Sequence, residues 1–132
     1  MLPGKIGSNK MLDNFYKNKR VLITGHSGFK GSWLSAWLLM LGAEICGFSK
    51  NIPSNPSNFK SINIDKKIQH FIGDVRDIDK LKKVFQDFKP EIVFHLAAQP
   101  LVRKSYKEPI LTFETNVLGT INVLECIKNS SF

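Results

Sequence analysis

Val21-Leu-Ile-Thr-Gly-His-Ser-Gly-Phe-Lys-Gly31 decides how this chain folds. A short apolar run, Arg20 to Thr24, leads straight into glycines at positions 25, 28 and 31, and a helical pattern follows. Such a run suits a strand buried on both faces of a parallel sheet. Gly25 allows the sharp turn out of the strand. Gly28 lets backbone approach a pyrophosphate with no side chain in the way, and Gly31 lets the next helix pack closely on the strand. The helix N-terminus then offers free N–H groups and the positive end of its dipole to the phosphates. Three glycines alone are a weak signal. Here a strand precedes them and a helix opens on them within a first βαβ unit, which is the context a dinucleotide site requires. Ser27, Phe29 and Lys30 join Gly25, Gly28 and Gly31 as candidate cofactor contacts, with a solvated helix residue as the alternative for Lys30. His26 reads as a loop-packing residue rather than a catalyst.

Outward from this stretch the pattern alternates. The helix is expected over Phe29 to Leu41, with Phe29, Trp33, Trp37 and Leu41 on one stripe and Leu34 and Leu38 beside it. Gly42 is a natural stop. Glu44 to Phe48 reads as a second strand, and 49–66, with Pro53 and Pro56, as a long loop holding one short helical turn. His70 to Gly73 is a third strand. Asp77 then caps a helix that puts Ile78, Leu81, Val84, Phe85 and Phe88 on one face. Glu91 to Ala97 is a fourth strand, followed by a turn containing Pro100. A last helix is expected from Ile110 to Lys128, with Phe113, Val117, Ile121 and Leu124 as its stripe. The order predicts an α/β fold, a doubly wound parallel sheet of about four strands with helices on its faces. Residues 1–18 read as a lead-in and 19–132 as the domain.

Bulk properties agree. The chain has 132 residues, 42% hydrophobic and 23% charged, as in a soluble globular domain. No purely apolar stretch approaches the ~18 residues of a membrane span, and the polar, basic N-terminus is unlike a signal peptide. The expectation is therefore a cytoplasmic protein without a membrane partner. The net charge of +8 comes from scattered lysines with no aromatic-plus-basic cluster, so no nucleic-acid partner is expected. Cys46 and Cys126 have no metal-ligand or redox spacing and read as small buried hydrophobes.

The glycine spacing is T-G-x-x-G-F-x-G rather than G-x-G-x-x-G, and in this the chain resembles the extended short-chain dehydrogenase/reductase family. Three further segments share the resemblance. Gly73-Asp-Val-Arg76 is similar to the family's D-x-R motif at the end of the third strand, whose Asp, here Asp74, reaches the adenine. His95-Leu-Ala-Ala-Gln99 is similar to its fourth-strand motif, which passes beside the nicotinamide ribose. Glu114-Thr-Asn-Val-Leu-Gly-Thr120 is similar to the following helix, in which Thr115 lies near the cofactor and Asn116 helps hold the active-site architecture. The resemblance covers residues 20 to 128. It implies a Rossmann-type fold binding NAD through the glycine turn, Ser49, Asp74, Val75, Leu96, Ala97, Ala98, Gln99 and Thr115.

Within that family, the segments Thr24 to Trp33, Lys89 to His95 and Ala97 to Tyr106 are similar to CDP-glucose 4,6-dehydratases. The resemblance implies a lyase that oxidises C4 of the hexose, loses water across C5 and C6, and returns the hydride to C6. It implies CDP-glucose as the substrate, and Arg103, Ser105 and Tyr106 as substrate contacts or as a polar turn. Polysaccharide biosynthesis and a homo-oligomeric complete enzyme follow from the same resemblance. Two features depart from the pattern. No acid ends the second strand at Ser49-Lys50, so NADP is not excluded beside NAD. The chain also stops at Phe132, before the S/T-D-K segment and the Y-x-x-x-K pair, and neither Tyr16 nor Tyr106 has a Lys four residues on. The expectation is the N-terminal part of a longer enzyme. This chain then has no catalytic residue of its own, no dehydratase activity alone, and a tendency to self-associate. Two alternatives stay open: the cofactor half of another nucleotide-sugar epimerase or dehydratase, and a non-catalytic NAD(P)-binding module.

Overall fold

The computed structural model describes residues 14–130. Four strands, β1 (Arg20–Thr24), β2 (Glu44–Ser49), β3 (Gln69–Ile72) and β4 (Ile92–His95), form one parallel sheet in the order β3-β2-β1-β4. Val21 pairs with Ile45 on one side and Ile92 on the other, so β1 is central. Side chains alternate across the sheet, as a period of two requires. Val21, Ile23, Ile45, Ile92 and Phe94 face helix α1 (Phe29–Met40). Leu22, Cys46, Phe48 and Val93 face helices α3 (Ile78–Phe88) and α5 (Pro109–Lys128) on the opposite side. The sheet is thus covered on both faces, the doubly wound arrangement expected. The segment between β2 and β3 carries a short helix α2 (Asn58–Ser61) and a 3₁₀ turn (Ile64–Lys66). Tyr16, from the expected lead-in, packs against the α1 side of the core, and Asn18 N donates to Gly42 O at 2.8 Å. Residues 1–13 of that lead-in lie outside the described residues.

α3 forms as its sequence demands. Asp77 accepts from Lys80 N at the N-terminus, and Leu81, Val84, Phe85 and Phe88 are buried. The other two helices turn differently from expectation. On α1 the aromatic stripe faces out, with Phe29, Trp33 and Trp37 at least half exposed, while Gly31, Ser32, Ser35 and Leu38 are buried. Small side chains let this helix come close to the turn it follows, with Gly31 directly against Gly25. On α5, Phe113, Val117, Ile121 and Leu124 are exposed, and Gly119, Asn122, Val123 and Cys126 are buried. Val123 and Cys126 pack with α3, and Gly119 lies over Val75; a π turn, Glu114–Leu118, interrupts the α-helical repeat before them. An extra helix, α4 (Val102–Lys107), replaces the expected turn after Pro100. α5 is long and apolar enough to cross a membrane by length and composition, a criterion that core helices of soluble proteins also meet. Both cysteines are buried and free, and burial pushes the Cys46 thiol up to about 12.

Candidate functional site

All four strands run parallel, so their C-terminal ends open on one edge of the sheet. The chain reverses direction across the sheet between β1 and β4, the switch point where ligands of such folds bind. Gly25 leaves β1 with φ +74°, in the left-handed region that favours glycine, and its N–H donates to Phe48 O at 2.8 Å. A Cβ there would sit 2.7 Å from Ala97 N, so the turn lies directly against the backbone leaving β4. A Cβ on Gly31 would overlap the Gly25 carbonyl oxygen and stand 2.7 Å from His26 Cα. Gly28, the N-cap of α1, is different. Its nearest neighbour to a Cβ is Gly25 O at 3.3 Å, leaving the space in front of the helix open. No side chain caps α1 and no acid lies in its first turn. Its leading N–H groups therefore face that space with the positive end of the dipole, a fit to a pyrophosphate. Phe29 and Lys30 are exposed at the same end.

Beside the turn, the end of β2 is tied down by buried polar groups. Ser27 N donates to Ser49 Oγ at 3.3 Å, and Ser27 Oγ donates to Asn51 O at 2.6 Å. His26 is fully buried, with Nδ1 2.8 Å from Ser49 Oγ and Nε2 3.2 Å from His70 Nδ1. A Cβ on Gly47 would run into the His26 ring, so that glycine makes its room. Phe59 meets the ring edge-on, 5.1 Å between centroids. Burial lowers the His26 pKa to about 4, and the neighbouring His70 adds to the effect. His26 therefore packs the loop from below, as its sequence context suggested.

At the end of β3, Asp74 Oδ1 accepts from Arg76 N and Nε, and Oδ2 accepts from Arg76 Nη2 at 2.9 Å and lies 3.2 Å from Lys50 Nζ. Hydrogen bonds from Arg76 hold the Asp74 carboxyl well below the usual carboxylate range. Arg76 also reaches Glu114 Oε2 at 2.9 Å, bridging this loop to the π turn. The Val75 side chain points into the core and fills the space beneath Gly119, so its groove-facing part is backbone. Asn122 Nδ2 donates to Val75 O and Arg76 O at 3.0 and 3.1 Å.

After β4, Leu96 and Ala98 are exposed and Ala97 is half-buried. Gln99 N donates to Asn116 Oδ1 at 2.7 Å, and Asn116 Nδ2 donates back to Gln99 O at 3.2 Å. The Gln99 side chain is occupied as well, donating to Leu101 O and Thr112 Oγ1 and accepting from Leu101 N. Thr115 is half-buried on the π turn. Arg103, Ser105 and Tyr106 fall on α4, next along the chain. Tyr106 is 85% exposed, and Ser105 Oγ donates to Val102 O within its own helix.

The structure thus brings the glycine turn, Ser49, Asp74 and the Leu96–Gln99 segment to one edge, with Thr115 on the π turn that Asn116 and Glu114 tie to it. Sequence reasoning missed Asn51, His70, Thr24, Thr120 and Glu114, which hold those residues in place. These contacts span 24 to 71 residues along the chain, so the sequence does not mark the pairs.

A parallel doubly wound sheet with this turn at its switch point defines a dinucleotide-fold domain of the extended short-chain dehydrogenase/reductase type. The chain belongs to the GDP-mannose 4,6 dehydratase family of such proteins, which matches it over residues 22–132. It is 52% identical over 119 residues to CDP-glucose 4,6-dehydratase of Salmonella typhimurium, covering 89% of this chain and 33% of that protein. It is 34% identical over 116 residues to GDP-mannose 4,6-dehydratase of Vibrio cholerae, covering 83% of this chain and 31% of that one. Among solved structures, UDP-glucose 4-epimerase of Thermus thermophilus in complex with NAD superposes with a TM-score of 0.75 at 36% identity, over 84% of this chain and 34% of that one. The epimerase Mth375 of Methanothermobacter thermautotrophicus superposes with a TM-score of 0.80 at 33% identity, over 93% and 36%. The chain spans about a third of the length of the curated relatives it matches.

Proposed function

We propose that this chain is the NAD-binding part of a nucleotide-sugar 4,6-dehydratase acting on CDP-glucose. The observation that carries the reading is the Gly25–Gly31 turn. It combines a left-handed Gly25, an open cradle at Gly28 and an uncapped helix N-terminus at the switch point of the sheet. The 52% identity to a CDP-glucose 4,6-dehydratase supports the choice among nucleotide sugars. In this reading the α1 N-terminus and the backbone of 25–31 bind the pyrophosphate. Ser49 and Asp74 stand beside the adenosine, and Leu96 to Gln99 with Thr115 orient the nicotinamide end. The dinucleotide, when bound, supplies reversible hydride transfer. Arg103, Ser105 and Tyr106 meet the sugar nucleotide beyond it. The same reading places the enzyme in the cytoplasm, in the supply of deoxysugars for polysaccharides, and as a homo-oligomer.

Lys50 is held by Asp74 at 3.2 Å, and this favours NAD. A lysine engaged by a carboxylate is a poorer partner for a 2′-phosphate than a free one.

Gly28→Val tests the proposal. A Cβ at this position meets one neighbour, Gly25 O at 3.3 Å, which must give by a few tenths of an ångström, and a thermal melt checks that the variant folds. The added side chain stands where the pyrophosphate sits. NAD titration should show binding weakened at least tenfold, a loss of about 1.4 kcal/mol or more. Unchanged affinity in the folded variant would refute the assignment.

A further inference from the structure

A continuous line of side-chain hydrogen bonds joins the glycine turn to the Gln99 segment. Ala97 N donates to Thr24 Oγ1 at 3.2 Å, and Thr24 Oγ1 lies 2.7 Å from His95 Nδ1. Across the ring, His95 Nε2 lies 3.1 Å from Thr120 Oγ1, which in turn contacts Asn116 O at 2.7 Å. Asn116 then holds both backbone atoms of Gln99. Thr24 is the last residue of β1, immediately before Gly25, and is fully buried.

The direction of this line follows from proton counting. The Asn116 carbonyl can only accept, so the single Thr120 hydroxyl proton goes to it. Thr120 Oγ1 must then receive from His95, and Nε2 carries a proton. Thr24 Oγ1 already accepts from Ala97 N–H, which leaves its own proton for Nδ1. With this assignment every polar atom on the line has a partner of the opposite kind. The groups facing the ring are Thr24 from β1 and Thr120 from α5, both uncharged, and burial lowers the His95 pKa.

We infer that His95, held as its Nε2–H tautomer, is a positioning residue that couples the phosphate-binding turn after β1 to the Gln99–Asn116 segment. Its effect on ligand rests on the dinucleotide reading above, while the coupling itself does not. A shift of the β1 end changes the hydroxyl direction at Thr24. Through the ring, that change reaches the helix turn that sets Gln99.

Nitrogen-15 NMR of the imidazoles in the full chain at neutral pH tests the tautomer, with His95 assigned by its loss in a His95→Gln variant. An unprotonated Nδ1 and a protonated Nε2 are expected, and the reverse pattern overturns the inference. Thr120→Val, which cuts the line on the helix side, tests the coupling. It should move the Gly25 amide signal on the far side of the ring, and an unmoved Gly25 amide overturns the inference. Two substitutions then split the ring's roles. His95→Gln keeps a donor toward Thr120 and loses the acceptor for Thr24, whereas His95→Asn keeps that acceptor and loses the reach to Thr120. Each should weaken NAD binding by roughly tenfold, as expected for one lost buried hydrogen bond. Wild-type affinity in both folded variants overturns the inference. Failure of the unsubstituted chain to bind NAD refutes the dinucleotide reading instead, and the tautomer and the Gly25 amide still decide the coupling.

Discussion

Mild acid should destabilise this protein through His26. The ring is fully buried against Ser49, Phe59 and His70. Burial first, and His70 second, lower its pKa from 6.5 to about 4. Between those values the unfolded chain binds a proton that the folded chain does not, so stability falls as pH falls. The contribution is intact above about pH 6.5 and fully lost near pH 4. At ~1.4 kcal/mol per pH unit, the gap from 6.5 to 4 is worth about 3 kcal/mol. That is a large share of the ~5–15 kcal/mol that holds a small domain together. Urea unfolding at about pH 7.5 and about pH 4.5, for wild type and for His26→Gln, would measure it. The variant should begin less stable, because packing is lost, but decline less with acid. His95 has the same sign, its pKa also lowered by burial, and cancels in the comparison. Asp74 acts in a separate window, because its carboxyl is held below the ordinary value of 3.8 and its stabilisation is lost only below that pH. Parallel pH dependences for wild type and variant would refute the argument.

Three further outcomes are expected. Gly31→Ala should destabilise by about 1–3 kcal/mol or more in thermal or urea unfolding, because the new Cβ meets backbone of the Gly25 turn, which cannot swing aside as a side chain can. Asp74→Ala should weaken NAD binding by about 1–3 kcal/mol, since it removes an acceptor and frees both Arg76 and Lys50; isothermal titration reads this directly. In competition between cofactors, NAD should displace NADP, and a preference for NADP would show that Lys50 leaves Asp74 for a 2′-phosphate.

Much of the fold was legible along the chain. The run Arg20 to Thr24, the capped and amphipathic α3, and the three glycines each carry a local signal that tertiary packing leaves unchanged. Their physics is short-range: a φ of +74° at Gly25, a hydrogen bond from Lys80 N to Asp77, a helical repeat of ~3.6 between Leu81 and Phe88. Together with the apolar runs at 44–48, 70–73 and 91–97 they predict the alternation of strands and helices, and hence the parallel sheet, although not α4.

Which faces α1 and α5 bury was not legible along the chain. Hydrophobicity ranks Phe29, Trp33 and Trp37 above Gly31 and Ser35, yet the small residues are buried and the aromatic ones exposed. Closeness of approach to the Gly25 turn, a property of two segments together, decides that orientation. The π turn at Glu114–Leu118 likewise has no local signal, and only its contacts with Arg76 and Gln99 show what it holds. The residues that hold the site, Thr24 with His95 and Thr120, Asn116 with Gln99, and His26 with Ser49 and His70, are partners only in space. A side chain's hydrogen-bonding direction depends on what lies across from it, and for these residues that partner is supplied by a different strand, helix or loop.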